Sequence, residues 1–342
     1  MTRRLILATA LTLILSLVLV ACGGGGDGGS GGGTGGNGGG GGETDYKKDL
    51  RMGTGSTGGV YFPLGQEMAT IIPESVDMQG FNISAVSTGA SVENLAKISQ
   101  GGLQLGLAQN TTAFDAVNGE GEFQGNQVTN AGFMGQLYPE AVQVITREST
   151  GVTSIDQLEG KKVAVGPPGG GTAKAARLIL EAYGLEEGDY QAFEEGFDDA
   201  KAKIQDGNID ASIEVLGVPA SSVQELQAST GDVVLLPVEG DARSQVVENT
   251  TYDEFEIPAD SYDFLEGPVP TISAFATLFG STTQVSPDLG YEITKALYEN
   301  ADQITLPQKE FITLDSALDG RGDLPLHPGA ERYFKEEGIL SE

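Results

Sequence analysis

Cysteine, histidine and tryptophan are almost absent from this sequence of 342 residues, which contains one cysteine, one histidine and no tryptophan. Because the only cysteine is Cys22, the rest of the chain can form no disulfide, thiolate nucleophile or cysteine metal site. The only histidine, His327, lies between two prolines in Pro325–Gly329, a context that favours packing over proton transfer. The sequence has no G-x-S-x-G elbow to present a serine, and one histidine cannot form a zinc site. The sequence therefore predicts that the protein is not an enzyme and that it binds no metal and no cofactor.

Basic residues are also scarce, since 19 Lys and Arg stand against 49 Asp and Glu and give a net charge of −30. Repulsion of this size excludes nucleic acid and anionic lipid surfaces as partners. The acidic pairs Glu194-Glu195 and Asp198-Asp199 lack the alternation of a calcium-binding loop. We interpret them as part of a solvated acidic face.

The N-terminus has the pattern of a bacterial secretion signal, in which Arg3 and Arg4 precede the uncharged run Leu5–Ala21. The last three residues of the run and the following Cys22 read Leu-Val-Ala-Cys, which matches a lipobox. This predicts removal of residues 1–21, lipidation of Cys22, and an exported protein anchored to the membrane and facing the periplasm or cell exterior. The alternative is an uncleaved membrane anchor, for which the run is at the short limit.

Residues 22–44 are predicted to be the lipidated cysteine and a flexible tether, because Gly23–Gly42 is glycine at all but four positions. Such a segment cannot bury apolar area and would have a root-mean-square reach of about 25 Å. It would hold the folded part near the membrane.

From residue 45 onward, short apolar runs bounded by glycine alternate with longer amphipathic segments, which is typical of βαβ units. Predicted strands are Leu50–Met52, Phe81–Ser87, Leu103–Ala108, Lys162–Val165 and Ala211–Val215. Predicted helices are Tyr61–Ile72, closed by Pro73, and Ser91–Gly101, Thr172–Tyr183, Asp198–Asp206 and Asp288–Gln303.

Two further apolar runs, Ala141–Thr146 and Thr271–Phe279, are predicted to be strands that cross between two lobes. The first lobe would comprise residues 45–140 plus 280–342, and the second residues 141–279. The predicted fold is therefore α/β and two-lobed, each lobe a mainly parallel sheet flanked by helices. Because ligands bind outside the carboxyl ends of such strands, a cleft is expected between the lobes.

The segment Gly53–Gly59 fits the dinucleotide pattern G-x-G-x-x-G, but no acidic residue follows the second predicted strand as that site requires. Its glycines and the hydroxyls of Thr54 and Ser56 instead favour contact with a ligand oxygen, with a plain tight turn as the alternative. The segment Pro167–Thr172 also combines glycines with a hydroxyl at the start of a predicted helix, so it too favours contact with a ligand oxygen. Thr172 is expected to cap that helix. Thr88–Asn94 is a third hydroxyl-rich segment, for which a structural cap at Ser91 is the alternative.

Seven blocks of the sequence, in order from about Arg51 to Gly338, resemble the TAXI branch of the TRAP transporter solute-binding proteins. The blocks are Gly53–Leu64, Thr88–Asn94, Leu107–Gly119 in two parts, Leu137–Glu140, Val165–Thr172, Ile293–Leu297 and Pro325–Tyr333. The resemblance implies a periplasmic-binding-protein fold of type II, whose lobes close on a ligand, and a polytopic TRAP permease as partner. It also implies a small carboxylate ligand, such as a glutamate-like amino acid or a dicarboxylate. We expect a monomer.

The resemblance implies ligand-binding residues in the cleft, which are Thr54, Ser56, Tyr61, Thr88, Ser91, Asn94, Gln109, Gly170, Gly171 and Thr172. This chain departs from similar sequences at Glu214, where they are largely neutral, and at Thr111, where acidic residues are common. A carboxylate facing the cleft at Glu214 would favour a ligand with an amino group. The alternative is that Glu214 faces solvent or pairs with a nearby Arg or Lys.

Three other functions remain open at this point. The receptor of an ATP-driven importer has the same two-lobed fold, and so does a lipoprotein that senses a ligand for a membrane receptor. A secreted hydrolase is the remote alternative, because the sequence offers neither a nucleophile with its base nor a metal site.

Overall fold

The computed structural model of the protein describes residues 46–168 and 170–341. The predicted signal peptide, the lipidation at Cys22 and the glycine-rich tether lie outside these residues and stay predictions.

The strands form one mixed sheet in the order β2-β1-β3-β10-β4-β7-β5-β6, with β8 paired to β4 and β9 paired to β10. Their bounds are β1 Asp49–Gly53, β2 Asn82–Val86, β3 Leu105–Gln109, β4 Ala131–Arg147, β5 Lys162–Ala164, β6 Gln191–Phe193, β7 Ala211–Gly217, β8 Val233–Leu236, β9 Asp253–Ile257 and β10 Val269–Ser281. Strands β1, β2 and β3 are parallel, as are β5, β6 and β7. The sheet is thus mainly parallel at its two outer parts, as predicted, and antiparallel at its centre.

The helices lie between the strands in the alternation that the sequence predicts. Their bounds are α1 Tyr61–Ser75, α2 Ser91–Ser99, α3 Asn110–Asn118, α4 Gly171–Ala182, α5 Phe197–Gln205, α6 Ser221–Thr230, α7 Gly240–Asn249, α8 Pro287–Glu299 and α9 Pro328–Glu336. Among the residues described, no helix combines the length and apolar character needed to cross a bilayer.

The two long strands β4 and β10 hold the sheet together, as the apolar runs in the sequence predict. They pair with each other in antiparallel register from Ser273 opposite Ala141 to Ser281 opposite Ala131. Beyond that stretch β4 pairs with β7, and the other end of β10 pairs with β9. Within the stretch, β10 pairs on its second edge with β3. Each long strand therefore contributes to both parts of the sheet.

Each part of the sheet has its own core. Leu50, Met134 and Ile293 belong to a cluster built from the parts of the chain before residue 139 and after residue 275. Val142 and Ile179 belong to one built from residues 142–274. We call the parts of the sheet served by these cores the first half and the second half.

The prediction that Pro73 ends the first helix is wrong, because α1 continues to Ser75. A proline inside a helix lacks the N–H that would bind the carbonyl four residues earlier, here that of Ala69. The last turn is held instead by the Ser75 hydroxyl, which donates to the Ile71 carbonyl at 2.9 Å. The loss of one hydrogen bond near the end of a helix is small enough for the turn to persist.

Candidate ligand-binding site

A cavity of about 60 Å³ lies between the two halves, beside the end of β3, the middle of β4 and the second part of β7. The first half contributes Gly55, Ser56, Gly59, Val60, Tyr61, Gly89, Ala90, Ser91, Gln109 and Glu140. The second half contributes Pro167, Gly170, Gly171, Thr172, Gly196, Phe197, Glu214, Val215 and Leu216. Of the eleven residues predicted to bind ligand, eight line this cavity.

Four helices begin at the cavity. Tyr61, Ser91, Gly171 and Phe197 are the first residues of α1, α2, α4 and α5, and all four line it. The first turn of a helix has backbone N–H groups without an intrahelical partner and a partial positive charge. Four such ends around one small cavity favour an anionic or carbonyl oxygen of a ligand.

The hydroxyls of Ser56 and Thr172 lie in the lining, on opposite halves. Neither hydroxyl makes a hydrogen bond within the described part of the chain, so both are available to a ligand. The expectation that Thr172 caps its helix is wrong, because α4 already begins at Gly171 and no side chain caps it. This leaves the N–H groups of the first turn of α4 free for a ligand.

Ser91 does not act as a helix cap either, since it is the first residue of α2 and follows Ala90, whose φ of 69° lies in the left-handed region. Its hydroxyl accepts from the N–H of Gln109 at 3.0 Å and so joins α2 to the end of β3. The carboxylate of Glu93 accepts a hydrogen bond from the N–H of Gly89 at 2.5 Å. The loop before α2 is thereby fixed against the cavity.

The two halves touch around the cavity, and glycines allow their close approach. A Cβ at Gly171 would lie 2.1 Å from Oε1 of Gln109, and one at Gly58 would lie 2.3 Å from Oδ1 of Asp198. On one side Thr57 donates a hydrogen bond to Asp198, and on another Lys174 forms a salt bridge with Asp115 at 2.5 Å. The two halves are therefore in contact on both sides of the cavity.

Thr54, Thr88 and Asn94 lie behind the lining and hold its loops. The side-chain amide of Asn94 donates to the carbonyls of Thr54 at 2.7 Å and Leu107 at 2.8 Å. Thr88 donates to the amide oxygen of Asn94 at 2.7 Å, and Thr54 donates to the carbonyl of Val86 at 2.8 Å. These bonds give the three residues a positioning role within the protein.

Glu140 lines the cavity, although the sequence did not mark it as a binding residue. It is 3% exposed, and its carboxylate accepts from the hydroxyl of Tyr61 at 2.8 Å and that of Tyr138 at 3.4 Å. Burial raises the pKa of this carboxyl to about 8, against the opposing effect of its hydrogen bonds. The one signal available in the sequence is the block Leu137–Glu140, which contains this acid.

Glu214 also lines the cavity and is 3% exposed. The Ser212 hydroxyl donates to its Oε1 at 2.6 Å. Burial raises the pKa of the Glu214 carboxyl to about 8, and the nearby charge of Glu195 adds to the rise. Among the described residues no Arg or Lys forms a salt bridge with Glu214 or with Glu140. The alternative in which Glu214 faces solvent or pairs with a cation is therefore wrong.

His327 is fully buried away from the cavity, which agrees with the packing role predicted from its proline-flanked position, and the structure shows that it also caps α9. Its Nδ1 accepts from the N–H of Gly329 at 3.2 Å, and its Nε2 lies 3.1 Å from the carbonyl of Val285. Burial lowers the pKa of this imidazole to about 4. In the part of the chain that the structure describes, no group of three His, Cys, Asp or Glu side chains is placed to hold a metal ion.

The fold is the α/β periplasmic-binding-protein-like fold of type II, with a mixed sheet and flanking helices. A structure from Bordetella bronchiseptica RB50 is similar with a TM-score of 0.50 and 16% identity over 85% of this chain and 82% of that one. The alkanesulfonate-binding protein SsuA from Xanthomonas axonopodis pv. citri, bound to MOPS, has a TM-score of 0.49 and 17% identity over 85% and 84%. An ancestral arginine-binding protein bound to arginine has a TM-score of 0.48 and 14% identity over 78% and 97%. Residues 52–338 match the NMT1-like family, and the chain belongs to that family.

Proposed function

We propose that the protein is an extracytoplasmic solute receptor that encloses a small carboxylate or similar oxyanion between two lobes and does no chemistry on it. The observation that carries the proposal is the convergence of four helix N-termini on one cavity with residues from both halves. The lobes would be residues 45–140 plus 280–342 and residues 141–279. Ligand contacts shared between lobes stabilise the closed form, because the open form cannot make them all.

The ligand would lie with its oxyanion against the first turns of the four helices. Backbone N–H groups, aided by the hydroxyls of Ser56 and Thr172, can hold an oxyanion without a buried cation. Such local donors are needed because a protein of net charge −30 repels anions at long range.

Two kinds of membrane transporter suit such a receptor. The seven sequence blocks support a TRAP permease of the TAXI type, to which the lipid-anchored receptor would deliver its ligand. The family match and the fold support the wider class of periplasmic solute-binding proteins, so the receptor of an ATP-driven importer is the second candidate. Uptake by membrane vesicles with the receptor added distinguishes them: an ion gradient alone drives a TRAP system, whereas the other requires ATP.

The proposed receptor function is tested by thermal unfolding of the protein in a library of amino acids, carboxylates, sulfonates and amines. A compound that binds only the folded state raises the melting temperature by mass action. The same hit should bind the double variant Ser56→Ala, Thr172→Val more weakly in calorimetry. A hit whose affinity is unchanged by the double variant would show that binding occurs elsewhere.

A further inference from the structure

We infer that the ligand of the cavity carries a cationic amine and only one acidic group, and that Glu214 is the residue that selects the amine. This inference rests on the proposed receptor function and narrows it. It separates neutral or basic amino-acid-like compounds, which should bind, from dicarboxylates and other acids without an amine, which should not.

Two hydrogen-bond acceptors in the lining of the cavity lack a donor. Only one oxygen of Glu214 has a partner, the Ser212 hydroxyl, and its other oxygen has none among the residues described. The Oε1 atom of Gln109 is buried and likewise has no donor. A buried acceptor without a donor costs free energy, so a ligand that brings N–H groups would be stabilised here.

The charges of the lining residues also favour a ligand with an amine. Glu140 and Glu214 project into one small cavity from the adjacent strands β4 and β7. No lysine or arginine is among the described residues that line the cavity, and Lys203 and Lys174 form salt bridges with Glu195 and Asp115 instead. A positive group on the ligand is then the available counter-charge, since buried carboxylates are stable as anions only when paired.

Glu214 suits this role better than Glu140. The hydroxyls of Tyr61 and Tyr138 both donate to the carboxylate of Glu140, and the side chain of Gln109 lies against this carboxylate as well. Glu140 therefore has its hydrogen-bonding capacity largely filled within the protein. Glu214 has one donor and an open oxygen, which is the arrangement that an ammonium group can complete with a charge-assisted hydrogen bond.

The cavity thus has two kinds of group in its lining. The helix N-termini favour the acidic group of the ligand, and the two carboxyls on β4 and β7 favour its amine. A second carboxylate, as in glutamate or succinate, would lie near Glu140 and Glu214 and find no cation there, and wherever these carboxyls are ionised the like charges repel strongly in a buried site. We expect affinity to decrease from alanine and ornithine to glutamate, and succinate to bind most weakly.

Calorimetric titration of the full folded chain with alanine, ornithine, glutamate and succinate tests this order, with the library of thermal shifts identifying any tighter compound. In Glu214→Gln we expect an amine-bearing ligand to lose about 10- to 150-fold in affinity, as for a lost hydrogen bond to a charged group. An amine-free acid should lose nothing or gain. Glu331→Gln, at an exposed helix position paired with Lys335, is the matched control and should change neither.

Each outcome bears on the inference. Tightest binding by an acid without an amine would overturn it but leave the receptor function standing. An equal loss for amine-bearing and amine-free ligands in Glu214→Gln would give Glu214 a structural role and also overturn it. If no compound of the library shifts unfolding, both the inference and the receptor function fail. If Glu214→Gln does not fold, the order of ligand affinities measured on the unaltered protein tests the inference by itself.

Discussion

Replacing Glu214 by Gln should stabilise the ligand-free protein, and increasingly so as the pH rises. The side chain is 3% exposed and has one hydrogen-bond donor, the Ser212 hydroxyl, which glutamine can still accept through its amide oxygen. The variant keeps the shape of the residue and removes only the charge. Any pH-dependent change in stability relative to the unaltered protein then reports the ionisation of this one carboxyl.

The sign follows from the pKa of Glu214, which burial raises from its ordinary value of 4.5 to about 8. The folded state binds the proton of Glu214 more tightly than the unfolded state does. The contribution of this protonation to the free energy of unfolding is therefore complete below the unfolded pKa and decreases as the pH rises towards the folded pKa. At 1.36 kcal/mol per pKa unit, this loss is about 2.5 kcal/mol between about pH 5 and about pH 7. The groups that face Glu214 are Ser212, Glu195 with its partner Lys203, and Gln143 across the strand pair.

Urea unfolding of both proteins at a series of pH values measures this difference. The free energy of unfolding of Glu214→Gln should exceed that of the unaltered protein by an amount that increases with pH over the whole window. A constant difference between about pH 5 and about pH 7 would mean that Glu214 ionises normally, and the argument from its burial would be refuted.

Three other substitutions test the geometry of the site. Gly171→Ala should weaken ligand binding without unfolding the protein, because its Cβ would lie 2.1 Å from Oε1 of Gln109 and oppose closure; X-ray scattering should show a less compact liganded form, and unchanged compactness would contradict this. Thr57→Val removes the hydrogen bond to Asp198 that joins the halves, so ligand should dissociate about 2- to 10-fold faster in stopped-flow measurements, whereas an unchanged rate would remove the bond from the closing mechanism. Asn94→Ala removes two buried hydrogen bonds to backbone carbonyls and should cost about 2–4 kcal/mol in urea unfolding; a loss below about 1 kcal/mol would show that water replaces the amide.

Most helices and strands of the fold were predictable from local patterns. The run Ala211–Val215 lies inside β7, and Ser91 begins α2 as predicted. Apolar runs bounded by glycine specify buried strands because side chains at those positions must leave water wherever the strand lies. The end of the first helix was predicted wrongly at Pro73, because the rule that proline ends a helix does not consider the hydroxyl of Ser75, which supplies a substitute hydrogen bond.

The site was predictable to the extent that its chemistry is local. Hydroxyls and glycines at the start of a helix identify a place where N–H groups are free, and Ser56, Ser91 and Thr172 lie in the lining accordingly. Whether such a residue faces the cavity or the protein interior depends on packing, which explains why Thr54 and Asn94 lie behind the lining.

The sequence by itself determined most of the strands and the glycine-rich helix starts, since each depends on residues adjacent in the chain, whereas β6, β8 and β9 were not predicted. Only the tertiary structure decided the cavity. Glu140 became part of the site because Tyr61, 79 residues away, donates to it, and Glu214 because burial left it without a cation. Contacts between distant segments carry no local signature, so the composition of the site, with helix N-termini and two carboxyls around one cavity, emerges only when the chain is folded.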